Sequence, residues 1–299
     1  MSRNSALWVL VLCSSTWLPI KAQTHDELMA EQKQLIGVLS GKYQTPSGGY
    51  ILARGSEDER EQSREFLVEE IRSIGLKPEV HSYRMPNLNP LIDLLFDPFK
   101  GANVYTILPA TTETDEYVVL GAHYDSEVDC PGAIDNASGS ALIFSVVKHL
   151  KSLNSRSKNV ILVFFDQEEE ELVGSRAFAK LLLKREWNIH SVHTFDMVGW
   201  DGDGNKEMEL ELPTPYLEEV YQKKADEQGI PLYMTSINST DHHSFRQVGF
   251  PAIGVNEAYG KRDSSPYKDT PEDTFETVNF DYLAGSTLFV LEVMKEILK

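Results

Sequence analysis

Five short segments carry residues that can do chemistry. The first, Gly121-Ala122-His123-Tyr124-Asp125-Ser126, closes an apolar run and sets an imidazole two residues from a carboxylate. Residues two apart on extended chain face the same side, and a carboxylate beside a histidine fixes the tautomer a metal-bound imidazole needs. The second, Gly132-Ala133-Ile134-Asp135-Asn136-Ala137-Ser138-Gly139, is a loop running into a helix, where Asp135 or Asn136 is either a cap or something more. The third is Asp166-Gln167 followed by Glu168, Glu169, Glu170 and Glu171, adjacent carboxylates that repel one another unless a cation relieves them. Asp196, in Thr194-Phe195-Asp196-Met197, and the segment Asp241-His242-His243-Ser244-Phe245 complete the set. Each alone has an ordinary explanation: a solvated face, a helix cap, a packed histidine. Together they offer histidines and several carboxylates at successive strand ends, the donors of a hard-to-borderline metal site. Imidazole with carboxylate suits zinc, and one bridging carboxylate suits a pair of ions that activate water for hydrolysis.

These residues need a scaffold that brings strand ends together. Thr24 to Leu39 and Ser56 to Ile74 have helical spacing with charged outer faces. Ser56 is placed to cap the second, with Glu57, Asp58 and Glu59 in its first turn, and Gly75 reads as its stop. After a proline-rich stretch (Pro86, Pro90, Pro98), short apolar, β-branched runs predict strands at Val104 to Pro109, Glu116 to Ala122, Asn159 to Asp166 and His190 to Asp196. Helices are predicted between them, over Asn136 to Leu150 and Ser175 to Glu186. A strand over Met208 to Leu212, a helix over Tyr216 to Gln228, short strands near Leu232 and Ala252, and a closing helix over Phe280 to Leu298 follow. Strands alternating with helices predict a largely parallel sheet covered on both faces, a single α/β/α domain over 23–299. Open sheets of this kind hold their ligands at the carboxyl ends of the strands, where the five segments fall.

The chain has 299 residues, 28 basic and 46 acidic, for a formal net charge of -18. That balance argues against a nucleic-acid partner, which needs a basic stripe, and against an anionic membrane surface. Residues 1–22 read as a secretory signal peptide: Arg3, an apolar stretch Ala6 to Ile20 too short to span a bilayer comfortably, then Ala22. The mature chain is therefore expected to be exported, to the periplasm or outside the cell, with no membrane segment. Cys13 would leave with the signal and Cys130 would remain alone, so no intrachain disulfide is expected.

In this order, the five segments resemble peptidase family M28, the zinc aminopeptidases. That family's pattern is a GxHxDS strand end, a GAxDNASG loop, an EE pair followed by GS, a strand-end Asp and a DHxxF-type segment. The resemblance spans about residues 100 to 300 and implies a mixed sheet of about eight strands sandwiched by helices. It implies that two zinc ions bind, one by His123 and Asp196, the other by Glu169 and His242, with Asp135 bridging. Asp125 would orient His123, and Glu168 would be the general base. The register follows from Gly174-Ser175, since the ligand Glu stands five residues before that Gly. Met197 and Phe245 would line a pocket for an apolar N-terminal side chain. The substrates implied are peptides with a free N-terminus. The alternative on the same fold is a single-zinc glutaminyl cyclase, which usually carries a longer insertion before GS. One departure stands out: many members carry Tyr-His-Thr in the late loop, where this chain reads Tyr267-Lys268-Asp269-Thr270.

Overall fold

The computed structural model describes residues 25–87 and 96–299. The signal segment expected at 1–22 lies outside the described residues. The first two helices form as their spacing predicts, α1 over His25–Leu39 and α2 over Glu57–Ser73. Ser56 closes a capping box with Glu59: its Oγ accepts the Glu59 N–H, and the Glu59 carboxylate accepts the Ser56 N–H. Gly75 follows at φ +71, a conformation that favours glycine.

Eight strands build one sheet: β1 Glu79–Met85, β2 Phe99–Leu108, β3 Glu116–His123, β4 Asn159–Phe165, β5 Asn188–Asp196, β6 Met208–Glu211, β7 Leu232–Thr235 and β8 Ala252–Glu257. Their spatial order is β1-β2-β4-β3-β5-β8-β6-β7. The centre, β4-β3-β5-β8, is parallel throughout, whereas β1/β2, β2/β4 and β8/β6 pair antiparallel. The sheet is mixed with a parallel heart, as expected. Strand β1 has no counterpart in the sequence reading; it pairs along only one edge and its residues are largely exposed, so no apolar run marks it.

The central strands read as continuous apolar runs because both faces are covered. Along β4, Val160, Leu162 and Phe164 join one core, while Ile161, Val163 and Phe165 join the other. The first core is closed by α1, α2, α3 (Gly139–Lys151), α5 (Pro215–Gln228) and α7 (Phe280–Ile297). The second is closed by α4 (Val173–Arg185) and the short α6 (His242–Arg246), whose Phe178 and Phe245 pack on Phe165. The helix expected from Asn136 begins later, at Gly139, because 133–138 form an irregular turn with a cis Asp135–Asn136 peptide.

Candidate metal centre

Strand order decides the site. Because β4, β3 and β5 are adjacent and parallel, their carboxyl ends lie side by side, about 4.8 Å apart. This sets Glu168 and Glu169 just past β4, His123 on β3 and Asp196 on β5. The loop 133–138 folds over them and adds Asp135. The donor atoms of His123, Asp135 and Asp196 lie within 4.8 Å of one another; so do those of His123, Glu168 and Glu169, and those of Asp135, Glu169 and Asp269. His123 Nε2 is 3.2 Å from Asp135, 3.4 Å from Asp196 and 3.9 Å from Glu168. Glu170 and Glu171 are more open to water, so the run of four splits into two acids that face the cluster and two that do not.

The motif residues that are not donors hold the donors in place. The Asp125 carboxylate lies 3.4 Å from His123 Nδ1 and also accepts the N–H groups of Glu168 (3.0 Å) and Glu169 (3.2 Å). It therefore fixes the β4 turn as well as the imidazole. The Asn136 side chain donates to the Phe195 carbonyl at 2.8 Å and accepts from Gly139 N–H at 2.9 Å, tying the Asp135 loop to the end of β5. Ser140 Oγ donates to the His123 carbonyl at 3.1 Å. A Cβ on Gly139 would meet the Phe195 carbonyl oxygen at 2.5 Å, and one on Gly174 would meet that of Asp166 at 2.0 Å. Both glycines answer to close backbone approach.

Two further residues escaped the sequence reading, and a third, Asp241, was quoted there without a role. Arg54, 0% exposed, donates to the carbonyls of Tyr124, Leu39, Pro131 and Gly132, joining the end of α1 to the chain just after β3 and to the turn just before Asp135. The Asp273 carboxylate accepts Ile134 N–H and Asp135 N–H, each at 2.9 Å. Asp241 is buried near Glu168 and Asp196, and burial pushes it up to about 7. Its position beside the two histidines of one candidate segment was a signal; Arg54 and Asp273 had none.

The electrostatics are those of a cation site. Burial disfavours a charged His123, yet Glu168, Asp196, Asp125 and Asp135 together raise it well above its usual value. Burial and the neighbouring Asp135 push Glu169 up to about 9. Burial, with Asp196, Asp241 and Glu169, raises Glu168 well above the carboxylate range. Asp135 goes the other way: burial opposes its charge, but His123 and Lys268 hold it down at about 2. His123 Nε2, Asp135 Oδ1, Asp196 Oδ1 and Glu169 Oε1 are buried without a hydrogen-bond partner. Orphaned donors and acceptors of these types, converging on one point, fit a divalent metal ion and little else.

His242 stands outside the groups of donors that all lie within 4.8 Å of one another among the described residues. Its Nδ1 lies 2.8 Å from Thr240 Oγ1 and 3.3 Å from the Glu211 carboxylate, which hold the ring beside β6 and β8. Its buried Nε2 has no hydrogen-bond partner. Asp269 also stands with Asp135 and Glu169, because Asp273 pins the late loop onto the Asp135 loop. Two expectations are corrected: Met197 and Phe245 do not line the cleft over the cluster. Met197 is 4% exposed and part of the first core; Phe245 is fully buried on Phe165. The cleft, about 470 Å³, is bordered by Glu168, Glu169, Asp196, Arg176, His243 and Lys268 among others. It is polar, which does not favour an apolar N-terminal side chain. Cys130 is buried and burial pushes its thiol up to about 12, a packed residue and not a nucleophile.

A histidine–carboxylate cluster at the carboxyl ends of a parallel sheet, roofed by a loop aspartate, defines a metallohydrolase of α/β architecture. The model of peptidase family M28 matches residues 103–294, and the chain belongs to that family. Aminopeptidase YwaD of Bacillus subtilis is 29% identical over 199 residues, 64% of this chain and 43% of YwaD. A probable leucine aminopeptidase 2 of Arthroderma benhamiae is 32% identical over 173 residues, 52% of this chain and 34% of that protein. The chain thus spans less than half the length of these relatives. Among solved structures, the zinc aminopeptidase BSAP of Bacillus subtilis shares the fold with TM-score 0.78, 17% identity and coverage of 91% of this chain and 95% of its own. The glutaminyl cyclase of Porphyromonas gingivalis shares it with TM-score 0.73, 15% identity and coverage of 92% and 98%.

Proposed function

We propose that this chain is a zinc-dependent aminopeptidase that releases the N-terminal residue of peptides. The observation that carries the reading is the convergence of His123, Asp135, Asp196 and Glu169 with orphaned buried atoms, beside a free-standing acid, Glu168. His123, Asp135 and Asp196 would hold one zinc. Zinc supplies an acidified water and a positive centre for the developing oxyanion. Glu168 takes the water's proton as the carbonyl carbon is attacked and returns it to the leaving amine. Its raised affinity for a proton, set by burial and its acidic neighbours, suits a group that carries one through the reaction. Asp125 holds the Glu168 backbone and the His123 ring in register. The acids bordering the cleft also attract a substrate α-ammonium group, which favours cleavage at a free N-terminus. With the leader expected at 1–22, this reading puts the activity outside the cytoplasm.

The test is a panel of aminoacyl peptides assayed with and without a chelator, with zinc add-back, alongside peptides that begin with glutamine. Release of free amino acids, lost on chelation and restored by zinc, supports the reading. Conversion of N-terminal glutamine to pyroglutamate without amino-acid release would replace it with the cyclase.

A further inference from the structure

Arg176 stands in the first turn of α4, where the helix dipole favours anions, so the helix itself gives no reason for a cation there. Packing places it. The close approach of Gly174 to the Asp166 carbonyl, and the bond from Val173 N–H to the Gln167 carbonyl (2.9 Å), seat the start of α4 on the turn that carries Glu168 and Glu169. Arg176 thereby borders the same cleft as those two acids. Its guanidinium is poorly satisfied. Nε reaches the Leu172 carbonyl at 3.4 Å, and Nη2 is buried without a hydrogen-bond partner. No acid among the described residues forms an ion pair with it, and Glu171, which acts on it from the same cleft, is open to water. Lys268, the other cation of the cleft, already lies 3.5 Å from Asp135. Asn238, Ser239 and Gln247, which also border the cleft, are uncharged. A planar fork of N–H donors with an unanswered buried nitrogen is a seat for a carboxylate. The cleft is thus bipolar, with acids at the strand ends and an arginine on the α4 wall. At about 470 Å³ it lies in the lower part of the roughly 300–1,000 Å³ range of small-ligand sites.

We infer that Arg176 selects substrates that carry a carboxylate just beyond the scissile bond: dipeptides, through their C-terminal carboxylate, or peptides with Asp or Glu as the second residue. The α-ammonium group is drawn to the acids and the carboxylate to Arg176, so a zwitterion matches both ends of the cleft. Extended chain advances about 3.4 Å per residue. A carboxylate on the second residue therefore stays within one small cleft, whereas the far end of a long peptide leaves it. Arg176 touches no reacting atom, and its effect is on binding. The inference rests on the aminopeptidase reading above and adds the substrate class.

Paired substrates on the full, zinc-loaded chain test it. The first pair is a dipeptide and its C-terminal amide; the second is a tripeptide amide with Glu or with Gln as its second residue. The charged member of at least one pair should have the higher kcat/KM, by about 10–100-fold, the worth of a hydrogen bond to a charged group. Arg176→Met should erase that preference by raising KM with kcat unchanged, and Arg176→Lys should keep part of it. Turnover of the uncharged members should be the same in all three proteins, which also shows that the variants are folded. A preference confined to the first pair assigns the C-terminal carboxylate, and one confined to the second assigns the acidic side chain. Equal kcat/KM within both pairs would overturn the inference, as would a loss in Arg176→Met that is the same for charged and uncharged members; either leaves the aminopeptidase reading in place. If no peptide is hydrolysed, that reading fails, and calorimetric binding of the dipeptide and its amide decides the rest. Tighter binding of the free acid, abolished by Arg176→Met, keeps the carboxylate seat, and equal binding overturns it.

Discussion

Arg54 offers the sharpest test of how the scaffold holds the centre. Its guanidinium is 0% exposed and donates to four carbonyls, at 2.5 Å to Tyr124, 2.6 Å to Leu39, 2.5 Å to Pro131 and 2.7 Å to Gly132. Arg54→Met keeps most of the aliphatic volume and removes every donor. Each buried carbonyl left without a partner costs about 1–3 kcal/mol. Losing the cost of burying a charge offsets part of that, by several kcal/mol. The net expectation is a destabilisation of about 3–5 kcal/mol, a large share of the roughly 5–15 kcal/mol that holds a domain together. At roughly 2 °C per kcal/mol for a chain of this size, the melting temperature should fall by about 6–10 °C. Urea unfolding should show a lower midpoint with an unchanged slope. Two of the four carbonyls flank functional residues, Tyr124 between His123 and Asp125 and Gly132 shortly before Asp135. Where the variant is still folded, zinc affinity should therefore drop about 10–100-fold, the usual cost of disturbing a ligand's support. Arg54→Lys, which can reach only some of the carbonyls, should fall between. A methionine variant within about 1 kcal/mol of the parent, with unchanged zinc affinity, would refute the idea that this side chain staples the loops.

Other consequences can be measured directly. Glu168→Gln should keep its metal and its melting temperature but lose about 10²–10⁴ in kcat; near-parental turnover would remove Glu168 from the mechanism. Gly174→Ala should cost about 3 kcal/mol or more, because its Cβ would meet a backbone oxygen at 2.0 Å, and equal urea midpoints would contradict that contact. Chelation should lower the melting temperature as well as activity, since a saturating ion at about 1,000 times its Kd adds about 4 kcal/mol; a calorimetric scan with and without zinc reads this. His193, fully buried between Tyr221 (3.0 Å) and Ser191 (2.9 Å), is held by burial at about 3, below the unfolded value near 6.5. The unfolded chain takes up a proton that the native one refuses, so stability is full above about 6.5 and is lost as pH falls toward 3, by about 3 kcal/mol at about pH 4. His193→Gln should flatten that acid slope in urea midpoints taken from about pH 7 to 4, and an identical slope would show that another group carries it.

Much of the centre was legible because local chemistry forced it into short motifs. His123, Asp125, Asp135, Glu168, Glu169 and Asp196 sit at strand ends or on a turn, where spacing, strand termination and unusual carboxylate density can all be read along the chain. The glycines that accompany them answer to close backbone contacts, as at Gly139 and Gly174. The β4 turn splits Glu168 and Glu169, which face the cluster, from Glu170 and Glu171, which are more open to water. The failures share one cause. Met197 and Phe245 follow functional residues in the chain, but the period of strand and helix turns their side chains into the two cores.

Periodicity and local termination are written along the chain. They were enough to give the alternation of strands and helices, the two-sided burial of the central strands and most of the residue types at their ends. Which of those ends become neighbours depended on how the strands assembled. The order β4-β3-β5 sets His123 between the acids of β4 and β5, though they lie some 40 to 70 residues apart in the chain. Assembly also brought Asp269 to the cluster on the late loop, because Asp273 accepts two N–H groups from the Asp135 loop, 138 and 139 residues away. A contact of that range leaves no periodic trace: its energy comes from charge-assisted hydrogen bonds between segments that meet once the sheet has formed.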